Sequence, residues 1–88
     1  MRIDLYLKRC GLLKQRSMAK RACEKGVVRL NGQRVKPGKE VRVGQHIAMD
    51  LPHRLLEVEI TALPGKHVAK SERERFYRLL RDEHRERL

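Results

Sequence analysis

Eighty-eight residues leave room for one small domain with a single modest core, because chains of this size bury only about 60% of their unfolded surface; a second, catalytic domain does not fit. Lys and Arg number 22 against 11 Asp and Glu, and the resulting net charge of +11 calls for an anionic partner rather than for a particular fold. The apolar runs are far shorter than the roughly 20 residues that span a bilayer, and no N-terminal stretch resembles a secretory signal, so a cytoplasmic protein with no membrane partner is expected.

The charge is unevenly spread. Residues 1–44 hold 13 basic and 3 acidic side chains, whereas residues 45–88 hold 9 and 8, so the basic surface belongs to the N-terminal half. Cys10 and Cys23 are separated by twelve intervening residues, and His46, His53, His67 and His84 stand singly. No pair has metal-ligand or redox spacing, and both cysteines are expected as small reduced core residues.

In chain order, a first helix is predicted from Ile3 to about Arg9, with Ile3, Leu7 and Cys10 at helical spacing and Gly11 as its stop. Asp4 falls in the first turn, where a carboxylate suits the helix dipole and can hold a nearby arginine. A second helix fits residues 16–25: Ala19, Ala22, Cys23 and Gly26 make a stripe of small residues that permits close helix packing. Ser17, Lys20, Arg21 and Glu24 point away from it.

Asn31-Gly32 then sits between two alternating runs, the pattern of a hairpin with a two-residue type I′ turn. This turn pairs Leu30 with Gln33, Arg29 with Arg34, Val28 with Val35 and Val27 with Lys36. Arg29 and Arg34 thus oppose each other on the outer face, a repulsion that an anion would relieve. A Pro-Gly turn follows, and "VRVGQHIAMDL" reads as strand, turn, strand. In "LLEVEITAL", Leu56, Val58, Ile60 and Ala62 alternate with Glu57, Glu59 and Thr61, a half-exposed strand with an acidic outer face. Residues 64–70 read as a loop. Ser71 and Glu74 form a capping box that predicts a C-terminal helix over residues 71–88, with Phe76, Leu79 and Leu80 as its apolar stripe and Glu74 paired with Arg78.

No catalytic constellation, P-loop or nucleophile motif is present, so no enzyme activity, cofactor, metal or small-molecule substrate is expected. Tyr6, Phe76 and Tyr77 are the only aromatic residues, too few and too scattered for a base-stacking platform. A structured RNA backbone fits better, gripped through phosphate and 2′-hydroxyl contacts. Lys14, Arg16, Ser17 and Lys20 surround the start of the second helix, where the dipole favours phosphate. Arg29, Arg34 and Lys36 extend this track over the hairpin, and Asn31 and Gly32 support it as the turn.

The stretch "RIDLYLKRCGLLKQRSMAKRACEKGVVRLNGQRVKPGKEVRVGQHI" resembles the S4-type RNA-binding domain. It has Arg-x-Asp opening the first helix, Gly-Leu ending it, Arg and Ala in the second, then Gly-x-Val, x-Asn-Gly-x-x-Val and Val-x-x-Gly. Gln15 stands where the pattern often has Ser. The resemblance implies an α+β domain over residues 1–63, with two N-terminal helices packed on a small, mostly antiparallel sheet. It adds Arg2 to the RNA-contacting residues and has Asp4 hold a neighbouring Arg.

"MRIDLYLKR", "LLKQRSMAK" and "SERERFYRLLRDE" resemble the ribosome-associated RqcP and fifteen-kilodalton heat-shock protein group. That likeness implies binding to large-subunit ribosomal RNA and peptidyl-tRNA, with an RqcH-type tailing factor as partner; a monomer is expected. Its heat-shock branch implies rescue of peptidyl-tRNA without tailing. A third reading, from another class, is an adaptor whose C-terminal helix docks a protein.

Overall fold

The structure, a computed structural model, describes residues 1–85. Helices α1 (Ile3–Arg9) and α2 (Arg16–Glu24) pack on each other and on one face of a sheet. The strands are β1 (Val28–Leu30), β2 (Gln33–Arg34), β3 (His46–Leu51), β4 (Arg54–Ile60) and β5 (Tyr77–His84), with a 3-10 helix at Lys70–Phe76 before the last. Their spatial order is β2-β1-β3-β4-β5, and every neighbouring pair is antiparallel.

The core forms where the helical stripes meet the inward sheet face. Ile3, Tyr6, Leu7 and Cys10 of α1 and Ala19, Ala22 and Cys23 of α2 are buried against Val28, Leu30, Ile47, Met49, Leu56, Val58 and Ile60. The alternation expected of β4 holds: Leu56, Val58 and Ile60 are buried, while Glu57 and Glu59 lie half-buried on the other face. Both cysteines are free and buried, and burial pushes each thiol up to about 11.

The hairpin takes the expected register at Leu30↔Gln33 and Arg29↔Arg34, with Asn31 at φ 48° and Gly32 at φ 81°. Its ladder stops there, so the expected Val28–Val35 and Val27–Lys36 pairs do not form. After Arg34 the chain leaves the sheet to serve α1. Pro37 O accepts from Asp4 N at 3.2 Å and Lys39 O from Ile3 N at 2.8 Å, which satisfies two N–H groups that a helix start leaves open. Residues 41–43 likewise form no strand; a single bridge joins Arg2 to Glu40 before β3 begins at His46.

The predicted C-terminal helix is corrected. Residues 70–76 wind as a 3-10 helix with no side-chain cap from Ser71, and residues 77–84 form β5; residues 86–88 of the expected helix lie outside the described residues. The free edge of β4 decides the outcome. Tyr77 opposes Ile60, Leu79 opposes Val58, and Arg78 meets Glu59 across the sheet rather than Glu74 along a helix. The ladder resumes at Arg81↔Glu57, which leaves Leu80 as the extra residue of a bulge. Helical i, i+4 ion pairs contribute only a few tenths of a kcal/mol each, less than a ladder satisfying the backbone along all of β4.

Candidate nucleic-acid interface

Asp4 is the organising residue of the basic half. Its side chain is fully buried at the start of α1, where Oδ1 accepts the Leu5 N–H at 2.7 Å. Its Oδ2 accepts from two arginines, Arg2 Nη2 at 3.2 Å and Arg16 Nε at 3.3 Å. A buried carboxylate requires such partners, because desolvating an unpaired charge is costly. Both arginine side chains remain nearly half exposed, at 46% and 42%. Each guanidinium carries five N–H donors in a planar fork, so one edge is fixed inward and other donors face solvent. The expectation that Asp4 holds a neighbouring Arg is met with two of them.

The backbone fixes the same geometry. Val41 N donates to Met1 O at 2.9 Å, and with the Ile3 and Asp4 bonds this stitches the N-terminus to residues 37–41. The Arg2 guanidinium then lies over Gly38, where an added Cβ would come 3.6 Å from Cζ. At the start of α2, Lys14, Ser17 and Lys20 are exposed beside Arg16, and the Ser17 hydroxyl donates to Gln15 Oε1 at 3.4 Å. The structure therefore brings Arg2, Asp4, Arg16 and the flanking lysines together.

The hairpin cations are arranged differently from what the opposed pair suggests. Arg29 is exposed on β1, but Arg34 donates from Nη2 to Glu24 O at 2.6 Å, at the C-terminal end of α2. An internal carbonyl, rather than an external anion, thus takes up one of the two facing charges. Gly26 makes this possible: it sits at φ 75°, and a Cβ there would meet Arg34 Nε at 2.8 Å. Lys36 is exposed beyond the hairpin, and the turn is secured when Asn31 Oδ1 accepts the His46 N–H at 2.8 Å.

Tyr6 is excluded from base stacking because it lies in the core, where its hydroxyl donates to Phe76 O at 2.6 Å. Thr61 N also donates to that carbonyl, so the 3-10 helix is held against α1. This docking creates a feature that the linear sequence does not display. Lys8, Arg9 and Lys14 meet Lys66, Lys70 and Arg73 around a cleft of about 400 Å³. The Lys66, Lys70, Arg73 spacing was the available signal, but only the tertiary fold places it beside α1. No group of metal-ligating side chains occurs among the described residues.

A pair of packed helices followed by a tight hairpin, with exposed cations on both, is the architecture of an S4-type module. Residues 1–47 match the S4 domain family. The RQC P-site tRNA stabilizing factor of Halalkalibacterium halodurans is 35% identical over 83 residues, spanning 94% of this chain and 93% of that protein. The factor of the same name from Helicobacter pylori is 41% identical over 73% of this chain and 76% of its own length. A trimeric structure of Vibrio cholerae heat shock protein 15 superposes with a TM-score of 0.84 at 32% identity, covering 90% of this chain and 80% of that one. The chain belongs to the S4 domain family, in the group that includes the RQC P-site tRNA stabilizing factors and heat shock protein 15.

Proposed function

We propose that this chain is a non-catalytic RNA-binding factor of ribosome-associated quality control. It binds obstructed large ribosomal subunits in the cytoplasm through ribosomal RNA and peptidyl-tRNA, and supports RqcH-type addition of C-terminal alanine to stalled nascent chains. The observation that carries the RNA-binding reading is the Arg2–Asp4–Arg16 cluster, two half-exposed guanidiniums aligned on one buried carboxylate. Planar N–H forks match phosphate oxygens, and holding them in place before contact lowers the ordering cost of binding. Lys14, Ser17 and Lys20 widen the contact around the start of α2, and Arg29 and Lys36 continue it across the hairpin, joined by the Arg34 donors that Glu24 O leaves unused. The quality-control assignment is supported by similarity to proteins named for stabilising P-site tRNA.

The structural likeness to heat shock protein 15 favours a second reading, in which the chain rescues peptidyl-tRNA on free large subunits without tailing. Sucrose-gradient sedimentation of wild type and Arg16→Ala with stalled ribosomal complexes tests the shared step. Wild type is expected in the large-subunit fraction and the variant at the top. Wild type remaining at the top would overturn both readings. Alanine tails that disappear when the gene is deleted and return with wild type select the first; tails unaffected by deletion select the second.

A further inference from the structure

The cleft between the C-terminal end of α1 and the 3-10 helix is lined by Lys8, Arg9, Lys14, Lys66, Lys70 and Arg73, with Gly11, Leu13 and Val68 as its other walls. No carboxylate lines it, and none of the six cations has an ion pair among the described residues. Six like charges converging on one concavity repel one another, and concave walls of low dielectric strengthen the field that an anion meets there.

Arg73 adds an independent observation. Its side chain lies across Gly11, where an added Cβ would come 2.6 to 2.8 Å from Cδ, Nε and Cζ. Gly11 has φ 77°, so the same residue ends the helix and makes room for the guanidinium. Arg73 Nε is buried there without a hydrogen-bond partner. A guanidinium held in a cationic cleft without a carboxylate is an arrangement that a bound anion would relieve.

We propose that this cleft is a second phosphate-binding site, which takes the sugar-phosphate backbone of an RNA strand continuing beyond the Arg2–Asp4–Arg16 site. Lys14 supplies the continuity, because it lines the cleft and stands two residues before Arg16. A polyanion crossing the start of α2 therefore meets the cleft next. Lys66, Lys70 and Arg73 come from the nearly charge-balanced half of the chain, so here the C-terminal segment has a binding role as well as a structural one. The inference rests on the RNA-binding reading above.

The test uses the full chain and fluorescently labelled bulk transfer RNA, titrated from low to moderate salt. The double variant Lys66→Ser/Lys70→Ser removes two exposed side chains that make no core contact. Each lost phosphate contact lowers the slope of log affinity against log salt by about 0.7 to 0.9, so a fall of roughly 1.5 and a several-fold weaker affinity are expected. The control Lys25→Ser/Arg42→Ser removes the same charge from two exposed positions outside the cleft and should leave the slope near wild type. An equal fall in both double variants would overturn the site in favour of a net-charge effect. An unchanged slope in Lys66→Ser/Lys70→Ser with a reduced slope in Arg16→Ala would overturn the cleft alone. No change in any variant would overturn the RNA-binding reading with it. Polyglutamate that binds with the transfer RNA's salt dependence, and is lost in the same cleft variant, would reassign the cleft to an acidic polypeptide and overturn the proposal.

Discussion

Along β4 and β5 positive charge is answered across the sheet: Arg54 meets Asp82 at 2.6 Å, Arg78 meets Glu59, and Arg81 approaches Glu57 at 3.9 Å. The helix–hairpin half contains 13 Lys and Arg, yet among the described residues only Arg2 and Arg16 have a carboxylate partner, and they share one. Two different uses of arginine follow. Exposed pairs across a sheet select register and add little stability each. The shared, buried carboxylate sets the spacing of two cations whose outer donors remain available. Total charge hides this distinction, and the location of the acids reveals it.

Asp4→Ala should break the contrast most severely. It removes a buried acceptor serving both arginines and the Leu5 N–H, so a stability loss of about 2–3 kcal/mol is expected from urea unfolding. RNA affinity should fall further than the loss of folded protein explains. Gly26→Ala comes next, at roughly 1–2 kcal/mol, because it places a Cβ at positive φ and against Arg34. Arg16→Lys sharpens the comparison with less structural damage. The chain should stay folded by circular dichroism while affinity drops several-fold, since a point-charge ammonium cannot replace a planar fork.

The smallest effects belong to β5. Hydrogen bonds from Arg78 and Arg54 hold the Glu59 and Asp82 carboxyls below the usual carboxylate range. Their stabilisation is present above the unfolded-state values and is lost as pH falls through the lower folded ones. Acidification should therefore loosen β5 slightly, as loss of amide protection in hydrogen exchange, while neutral-pH RNA binding by Glu59→Gln stays at the wild-type level. The cysteines respond with the opposite sign. With folded values raised to about 11, their contribution is intact below the ordinary thiol value and is lost as pH rises through the folded one. At neutral pH both thiols should react slowly with a thiol reagent until the protein is unfolded.

Short-range signals carried much of the fold into the sequence. The caps at Gly11 and Gly26, the small stripe of α2 and the Asn31-Gly32 turn each act within a few residues, and the structure realises them. Asp4 was legible as an arginine holder because it sits in the first turn, although its second partner was not. The C-terminal segment was misread because Ser71, Glu74 and Arg78 satisfy a helical pattern locally, whereas their fate depends on an open sheet edge formed by residues 54–60. Arg34 bonding to Glu24 O, and the cleft joining Lys8 to Lys70, depend on the same kind of distant placement. Periodicity cannot encode such meetings, because they are properties of packing between elements.

The bond from Tyr6 to Phe76 O spans 70 residues and closes the first helix against the last part of the described chain. During synthesis, α1 and α2 emerge early, but their outer wall is not complete until residue 76 is free to dock. Before then the Tyr6 hydroxyl lacks its native acceptor, and the cleft beside α1 lacks half its cations. A chain interrupted after the hairpin would carry most of the basic residues but only one wall of the cleft, because Lys66, Lys70 and Arg73 lie beyond the hairpin in sequence.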